Sequence, residues 1–532
     1  MMQRAVTIVV PLQHDVVGEV RCKLRGLEAA GSMLAGLPSL HFACWFVLDA
    51  HTDVNQNVHP PLLILEANFD GKRCTFLEGL VERQRSVLDT IYDGAIGYPG
   101  SAASASDVVA YLRRHDRGAH LFYVGCPGKT VAQIGADAAL RPDLQRRARA
   151  LAAHVDRRTQ CVEGVWRGLP AEEKALPEQP FWVRHTLRRG ILRGLFGIVR
   201  WPLFAGGIVA ALVALAGAVS PWAVPAALAQ IASDVLRAIA CGFVLSSALW
   251  GGLLLANAPQ RVRPGVWLRT LAGQLWRFAT AALWLAPLAL AACGLVSLAL
   301  WQCGALRVGA AGLSALLLVA ALLAAAALLG IARREQTDEV LDLEYAPGRQ
   351  LLRQRENRAP QNHFICLHEI KPGWLRMLTL RFVLAFLQLA VRVYYNLGDL
   401  GGIASIHFGR WIVLRERRQL LFATNFDGSW NGYLGEFVNR ASTGVNSIWT
   451  NTRLFPRTHF LVGDGCRDEQ RFKCWARSGE VETLYWLRSY EHSVAAIVRN
   501  DALRRELASF GERLERGRAI SEAELDAWLR RL

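Results

Sequence analysis

The sequence predicts an α+β protein in which two copies of a β-α-β-β-α-β module lie in one chain, separated by an apolar helical region. Three observations carry this expectation. The stretch LILEANFDGK from Leu63 and the stretch LLFATNFDGSW from Leu420 are near-copies. Each is preceded by a strand-like run opening with His-Phe, HFACWFVL from His41 and HFGRWIVL from His407, and each is followed at the same separation by a proline, Pro99 and Pro456. Between the copies lie four apolar runs close to the ~20 residues that a membrane span needs.

In the first copy, alternation and helical spacing predict strands at 6–12, 41–48, 62–69 and 121–125, with helices at 17–30 and 76–91. That order is the split arrangement of a ferredoxin-like module, a four-stranded antiparallel sheet with two helices on one face. Residues 101–118 read as an insertion before the last strand. From 131 to 169 an arginine-dense helical stretch reads as a solvated linker, or as a segment lying on a lipid surface.

The four expected spans lie at 202–222, 238–255, 278–301 and 308–332, and the loop between the second and third is strongly basic. An even number of spans with that charge asymmetry predicts a multi-pass protein of the inner membrane with both modules cytoplasmic. The domain expectation is therefore a first module at 1–130, a basic linker at 131–200, a transmembrane domain of about four helices at 201–333, a charged linker at 334–360 and a second module at 361–532.

The second copy has expected strands at 364–370, 407–414, 420–426 and 459–462 and helices at 374–395 and 433–449. Its first helix is unusually apolar, yet Arg381, Gln388 and Arg392 fall within a narrow arc. A fifth span would bury those groups in lipid, so the helix reads as lying against the bilayer or the membrane domain, with a span as the alternative.

The 532 residues carry a net charge of +16. The arginines crowd the flanks of the apolar region, which points to anionic lipid as a partner, and no aromatic-basic nucleic-acid motif accompanies them. Eleven cysteines, scattered and without a Cys-x-x-Cys pair, argue against a disulfide framework or a structural zinc site and suit a reducing compartment. The N-terminus reads as a first strand, without a signal peptide.

Alternation places Leu421, Ala423, Asn425 and Asp427 on one face of the repeated strand, and Glu66, Asn68 and Asp70 on one face of its counterpart. A sheet covered by its own helices on one face must meet a partner with the other, and two copies in one chain supply that partner. The Asn and Asp pairs then border a shared interior. As turn residues, Asn-x-Asp-Gly is equally a good strand-to-helix connection. Arg410 and Asp427 are candidates to approach across the hairpin that joins their strands. His41 and His407, at equivalent positions, are candidate ligand-binding residues or strand histidines, and Trp411 is a further ligand-binding candidate, with either Trp411 or Ile412 on the open face.

Two such modules meeting through their open faces resemble the dimeric α+β barrel superfamily, which includes dye-decolourising peroxidases and chlorite-dismutase-like haem proteins. The peroxidase arm carries Gly-x-x-Asp-Gly, whose Asp works on the distal side of haem. The matching positions here are Asp70-Gly71 and Asp427-Gly428, with Ala67 and Thr424 in place of the first glycine. The string NFDGSW…YLGEFVNRAS…NTRLFPRTHFLVG…RDEQRFK also resembles an uncharacterised bacterial group associated with such barrels. The resemblance implies haem, or another apolar small molecule, as the ligand, Asp427 or Asp70 as the acid-base residue, and His407, His459 or His492 as proximal candidates. Two functions follow: a membrane-tethered scaffold or binding protein with a solid barrel, or a haem-dependent peroxidase-like oxidoreductase. No metal-ligand set stands out from spacing.

Overall fold

Nine-residue runs rich in Val, Ile, Leu and aromatics form the long strands, and in three of them every residue is buried, so both faces of the sheets are covered. The computed structural model describes residues 3–30, 33–53, 55–152, 158–170, 174, 330, 333–342, 360–393, 400, 403–459 and 461–532. The chain divides into two compact units. One comprises Met1–Thr186, Asp338–Thr458 and Val462–Leu532, and the other Leu187–Thr337 with His459–Leu461. Everything that follows concerns the first unit.

Its elements, in chain order, are β1 (Gln3–Pro11), α1 (Val17–Ala30), β2 (Leu40–Leu48), β3 (Leu62–Asp70), α2 (Arg73–Tyr92), α3 (Ala105–His115), β4 (Leu121–Val124), α4 (Val131–Ala152) and α5 (Arg158–Arg167). After the undescribed region come β5 (Gln361–Glu369), α6 (Trp374–Val393), β6 (Ile406–Leu414), β7 (Gln419–Asp427), α7 (Trp430–Arg440), α8 (Ser442–Trp449), α9 (Glu469–Ser478), β8 (Tyr485–Arg488), α10 (Val494–Glu515) and α11 (Glu522–Leu529). Two four-stranded antiparallel sheets result, in the orders β1-β3-β2-β8 and β4-β6-β7-β5. Helices cover the outer face of each, with Trp45, Phe69 and Tyr92 in one core and Trp411, Phe426 and Tyr433 in the other.

The expectation that each module closes on its own last strand is corrected. The edge strands are exchanged: β4, from the first half, pairs with β6 of the second sheet, and β8, from the second half, pairs with β2 of the first. The segment entering each exchanged strand also binds the sheet it is leaving. Arg117 donates its N–H to Thr7 O at 2.8 Å before β4 begins, and Leu367 N donates to Gly479 O at 2.8 Å before β8 begins. Backbone hydrogen bonds thus run from sheet to sheet on both sides, and the long sheets keep no free edge there. The last strand expected at 459–462 is not among the strands of either four-stranded sheet in the described residues.

The arginine-dense stretch after β4 is not a solvated linker. Leu140, Leu144, Val162 and Trp166 of α4 and α5 pack with Leu503, Phe510, Leu525 and Trp528 of α10 and α11 in a helical core of their own. Lys129, Asp137, Asp501 and Arg504 form an ion-paired cluster at its base.

The membrane expectations are corrected as well. Among the described residues no helix is long and apolar enough to cross a membrane. The transmembrane domain, the integral-membrane function and the multi-pass inner-membrane localisation with cytoplasmic modules are therefore withdrawn. The four expected spans at 202–332 lie outside the described residues. α6 is among the helices that do not qualify as a span, and two of its polar groups are engaged with protein: Arg376 donates to Asp338 at 2.7 Å, and Gln388 accepts the N–H of Phe122 at 2.8 Å.

Candidate functional site

The two sheets meet through the faces that their helices leave open, and the space between them is layered. At one end Val9, Phe46, Leu48, Leu62, Ile64, Ile365, Ile412, Leu414 and Leu421 form a dry plug. One strand repeat further along, the same alternation brings polar groups inward. Cys44 lies opposite Glu66 in the first sheet, and Arg410 opposite Ala423 in the second. His363 lies opposite Asn425. Cys44 (β2), Glu66 (β3) and His363 (β5) bring a sulfur, a carboxylate oxygen and a ring nitrogen within 4.8 Å of one another.

This cluster is a charge network drawn from both halves of the chain. His363 Nε2 lies 2.6 Å from Glu66 Oε1, and His363 Nδ1 lies 3.1 Å from Thr483 Oγ1. Arg410 Nε stands 3.5 Å from the other Glu66 oxygen. The rest of the guanidinium donates to Val6 O at 2.6 Å, Thr7 Oγ1 at 3.1 Å, Ala67 O at 3.2 Å and the side-chain oxygen of Asn68. Asn68 Nδ2, fully buried on the same strand face as Glu66, has no hydrogen-bond partner. Trp486 of the exchanged strand donates its indole N–H to Asn425 Oδ1 at 3.1 Å.

Electrostatics follow from the geometry. Burial alone would raise the Glu66 carboxyl, but Arg410 and then His363 hold it below its ordinary value. Burial pushes the Cys44 thiol well up, and the Glu66 carboxylate adds to the shift. Arg410 is lowered by burial, against the pull of Glu66. A thiol so disfavoured as an anion needs a cation beside it before it ionises.

At the end of the barrel beyond this layer, the repeated motif builds two matching latches. His41 Nε2 lies 3.0 Å from Asp70 Oδ1, and Asp70 Oδ2 accepts the N–H of Val131 at 2.9 Å, at the start of α4. In the other half His407 Nε2 lies 2.8 Å from Asp427 Oδ1, and Asp427 Oδ2 accepts the N–H of Val494 at 2.7 Å, at the start of α10. Each aspartate thus ties down the helix that follows an exchanged strand, and each carboxylate is occupied at both oxygens. Tyr490 touches His41 at 3.0 Å. Gly71 and Gly428, which close the motif, take φ of +99° and +85° with open space around them, so the backbone conformation itself requires glycine.

The residues singled out from sequence therefore divide. Asn68 and Arg410 belong to the polar layer, and Asn425 borders it. Asp70, Asp427, His41 and His407 form the latches, with each aspartate engaged at both oxygens. Arg410 does not pair with Asp427; its partners come from the first half. Trp411 lies on the outer face, packed on Phe422 at 4.5 Å between ring centres. Of the proximal candidates, the carbonyl of His492 accepts from Gln361 at 2.9 Å. Sequence reasoning missed Cys44 and His363. Setting the two halves side by side would have marked them, because Cys44 aligns with Arg410, Glu66 with Ala423 and His363 with Ala5. These are the positions in the layer where the repeat changes its chemistry.

Comparison of the chain with protein-family models, with curated proteins and with solved structures returns no match.

Proposed function

We propose that the protein is a metal-binding barrel in which Cys44, Glu66 and His363 hold one divalent ion between the sheets. The observation that carries this reading is the convergence of a thiol, a carboxylate and an imidazole from three strands of both halves within 4.8 Å. A sulfur–nitrogen–oxygen set suits zinc or a neighbouring first-row transition metal rather than magnesium or calcium, which prefer oxygen alone. Each ligand already has an orienting neighbour. Thr483 at His363 Nδ1 leaves Nε2 for the ion, and Arg410 steadies the second oxygen of Glu66. Binding displaces the contact between His363 and Glu66 and releases the Cys44 proton, so affinity falls as pH falls.

Cobalt(II) titration of the full chain, freed of metal by chelation, tests this. One equivalent should bind with a sulfur-to-cobalt charge-transfer band in the near ultraviolet. Cys44→Ser should abolish that band and weaken binding on the order of 100-fold or more. A folded wild-type chain that takes up no cobalt, or zinc in competition, would leave the cluster as an ion network that staples the sheets.

A further inference from the structure

The outer face of α6 carries four of the eight large hydrophobic side chains that the described surface leaves exposed. Trp374, Leu378, Phe382 and Phe386 are 75%, 56%, 71% and 60% exposed. They recur every fourth residue and line one edge of the helix over about 18 Å. The helix itself is firmly held. Leu380, Leu384 and Val391 are buried in the core beneath it, Gln388 binds the backbone of β4, and Arg376 binds Asp338. The stripe is therefore displayed by a fixed scaffold.

The size of the stripe and the charge beside it bear on the occupant. At roughly 150–250 Å² for a large side chain, these exposures leave about 500 Å² of apolar surface. That matches the apolar share of a standard dimer interface of roughly 800 Å² per partner, so it is the charge beside the stripe that selects the occupant. Beside the stripe stands the exposed Arg381. Arg415, exposed in the turn between β6 and β7, lies close enough that, after burial, it and Arg381 together hold His120 below its ordinary pKa. An aromatic and aliphatic ridge flanked by guanidinium groups matches the boundary between acyl chains and anionic head groups.

We infer that α6 is a contact for an anionic phospholipid surface, with Trp374, Leu378, Phe382 and Phe386 entering the head-group boundary and Arg381 and Arg415 meeting lipid phosphates. The helix lies along the surface and does not cross it. This inference does not depend on the metal centre.

Photo-crosslinking reads the occupant directly. The full chain, with Phe382 replaced by benzoylphenylalanine, is irradiated with vesicles of phosphatidylcholine alone or of phosphatidylcholine with phosphatidylglycerol. The 382-containing peptide should carry lipid, with roughly tenfold more adduct on the anionic vesicles. Arg381→Gln should remove most of that gain. The same replacement at the buried Leu384 should give intrachain products only. A covalent dimer through position 382, or an intrachain product there, would overturn the assignment, and equal lipid adduct on both vesicles would overturn its anionic part.

Discussion

The two halves of the barrel are alike where they hold the architecture and unlike at one place in the interior. Gln3 and Gln361, His41 and His407, Trp45 and Trp411, Asn68 and Asn425, and Asp70 and Asp427 occupy equivalent positions in the two sheets. Even the stacking of Phe69 on Phe76 at 4.0 Å is repeated by Phe426 on Tyr433 at 3.9 Å. Against this background Ala5 faces His363 across the repeat, Cys44 faces Arg410, and Glu66 faces Ala423. The changes compensate one another. Glu66 alone would be a buried, unpaired charge, and Arg410 alone would be another; together they form a network with His363. The difference teaches that the repeat carries the frame, while any specific chemistry belongs to the departures from it.

The sharpest way to break this comparison is to remove one side of the charge pair. In metal-free protein Arg410→Met leaves Glu66 buried without its guanidinium and should cost about 3–5 kcal/mol in urea unfolding followed by tryptophan fluorescence. Cys44→Ala, at the equivalent position of the other sheet, should cost about 1 kcal/mol. Equal losses at the two positions would mean that the asymmetry has no energetic content. Adding Glu66→Gln to Arg410→Met should recover much of the loss, since the carboxylate that lost its guanidinium and kept only His363 is then gone.

A second asymmetry lies on the outer face of the second sheet, where His368 takes the place that Val10 holds in the first. His368 is stacked on Trp475 at 3.8 Å between ring centres, its Nε2 is without a hydrogen-bond partner, and burial lowers its pKa to about 3. The unfolded chain takes up a proton near the ordinary value of 6.5 while the folded chain does not. Stability is therefore full above pH 6.5 and falls as pH drops towards 3, by roughly 2 kcal/mol at pH 5. His368→Val should flatten this part of the pH profile of the melting temperature. The depressed carboxyl of Glu66 acts only at lower pH, where its protonation weakens the network, and that acid limb should persist in the variant. An unchanged slope between pH 6.5 and 5 would refute the role of His368.

Much of the frame was legible because it is local. Alternation along β3 and β7 puts Glu66, Asn68, Asp70, Asn425 and Asp427 on the inner face, and the repeated NFDG marks the strand-to-helix turn. What was illegible is non-local. β4 and β8 are four-residue strands, LFYV and YWLR, and nothing in so short a run says which sheet edge it joins. Arg410 was expected near Asp427 because the two are close along one hairpin, but the register leaves its guanidinium pointing across the barrel at the other half. The histidines were obscured by irregular pairing at Leu40/Phe42 and Ile406/Phe408. These shifts interrupt simple alternation, so that His41 and Phe42 both reach the interior end, where His41 meets Phe408 at 5.1 Å and Phe42 meets His407 at 5.3 Å. Trp411 escaped for the opposite reason: a large aromatic suits either face, and only packing against the helices decides.

The finest test of the comparison uses the latches, where the halves should behave alike. Asp70 and Asp427 each accept one backbone N–H at a helix start and one histidine nitrogen. Replacement by Asn keeps a single oxygen acceptor and removes the negative charge from the positive end of α4 or α10. If the oxygen stays on the helix amide, the new NH₂ group faces the histidine, which meets it by presenting a bare nitrogen. Each substitution should therefore cost about 0.5–2 kcal/mol rather than unfold the barrel. Asp70→Asn should sit at the upper end of that range, because the Asp70 side chain is 5% exposed and that of Asp427 is 15% exposed, leaving water to soften the second loss. The two losses should depart from additivity in the double variant by roughly 0.5 kcal/mol or more, since α4 and α10 pack in one core and Tyr490 touches both His41 and His407. Cobalt uptake should remain unchanged throughout, because Cys44, Glu66 and His363 contact neither aspartate. Were Asp427→Asn to abolish metal binding while Asp70→Asn did not, the two latches would not be equivalent, and the frame itself would have to be counted as part of the site.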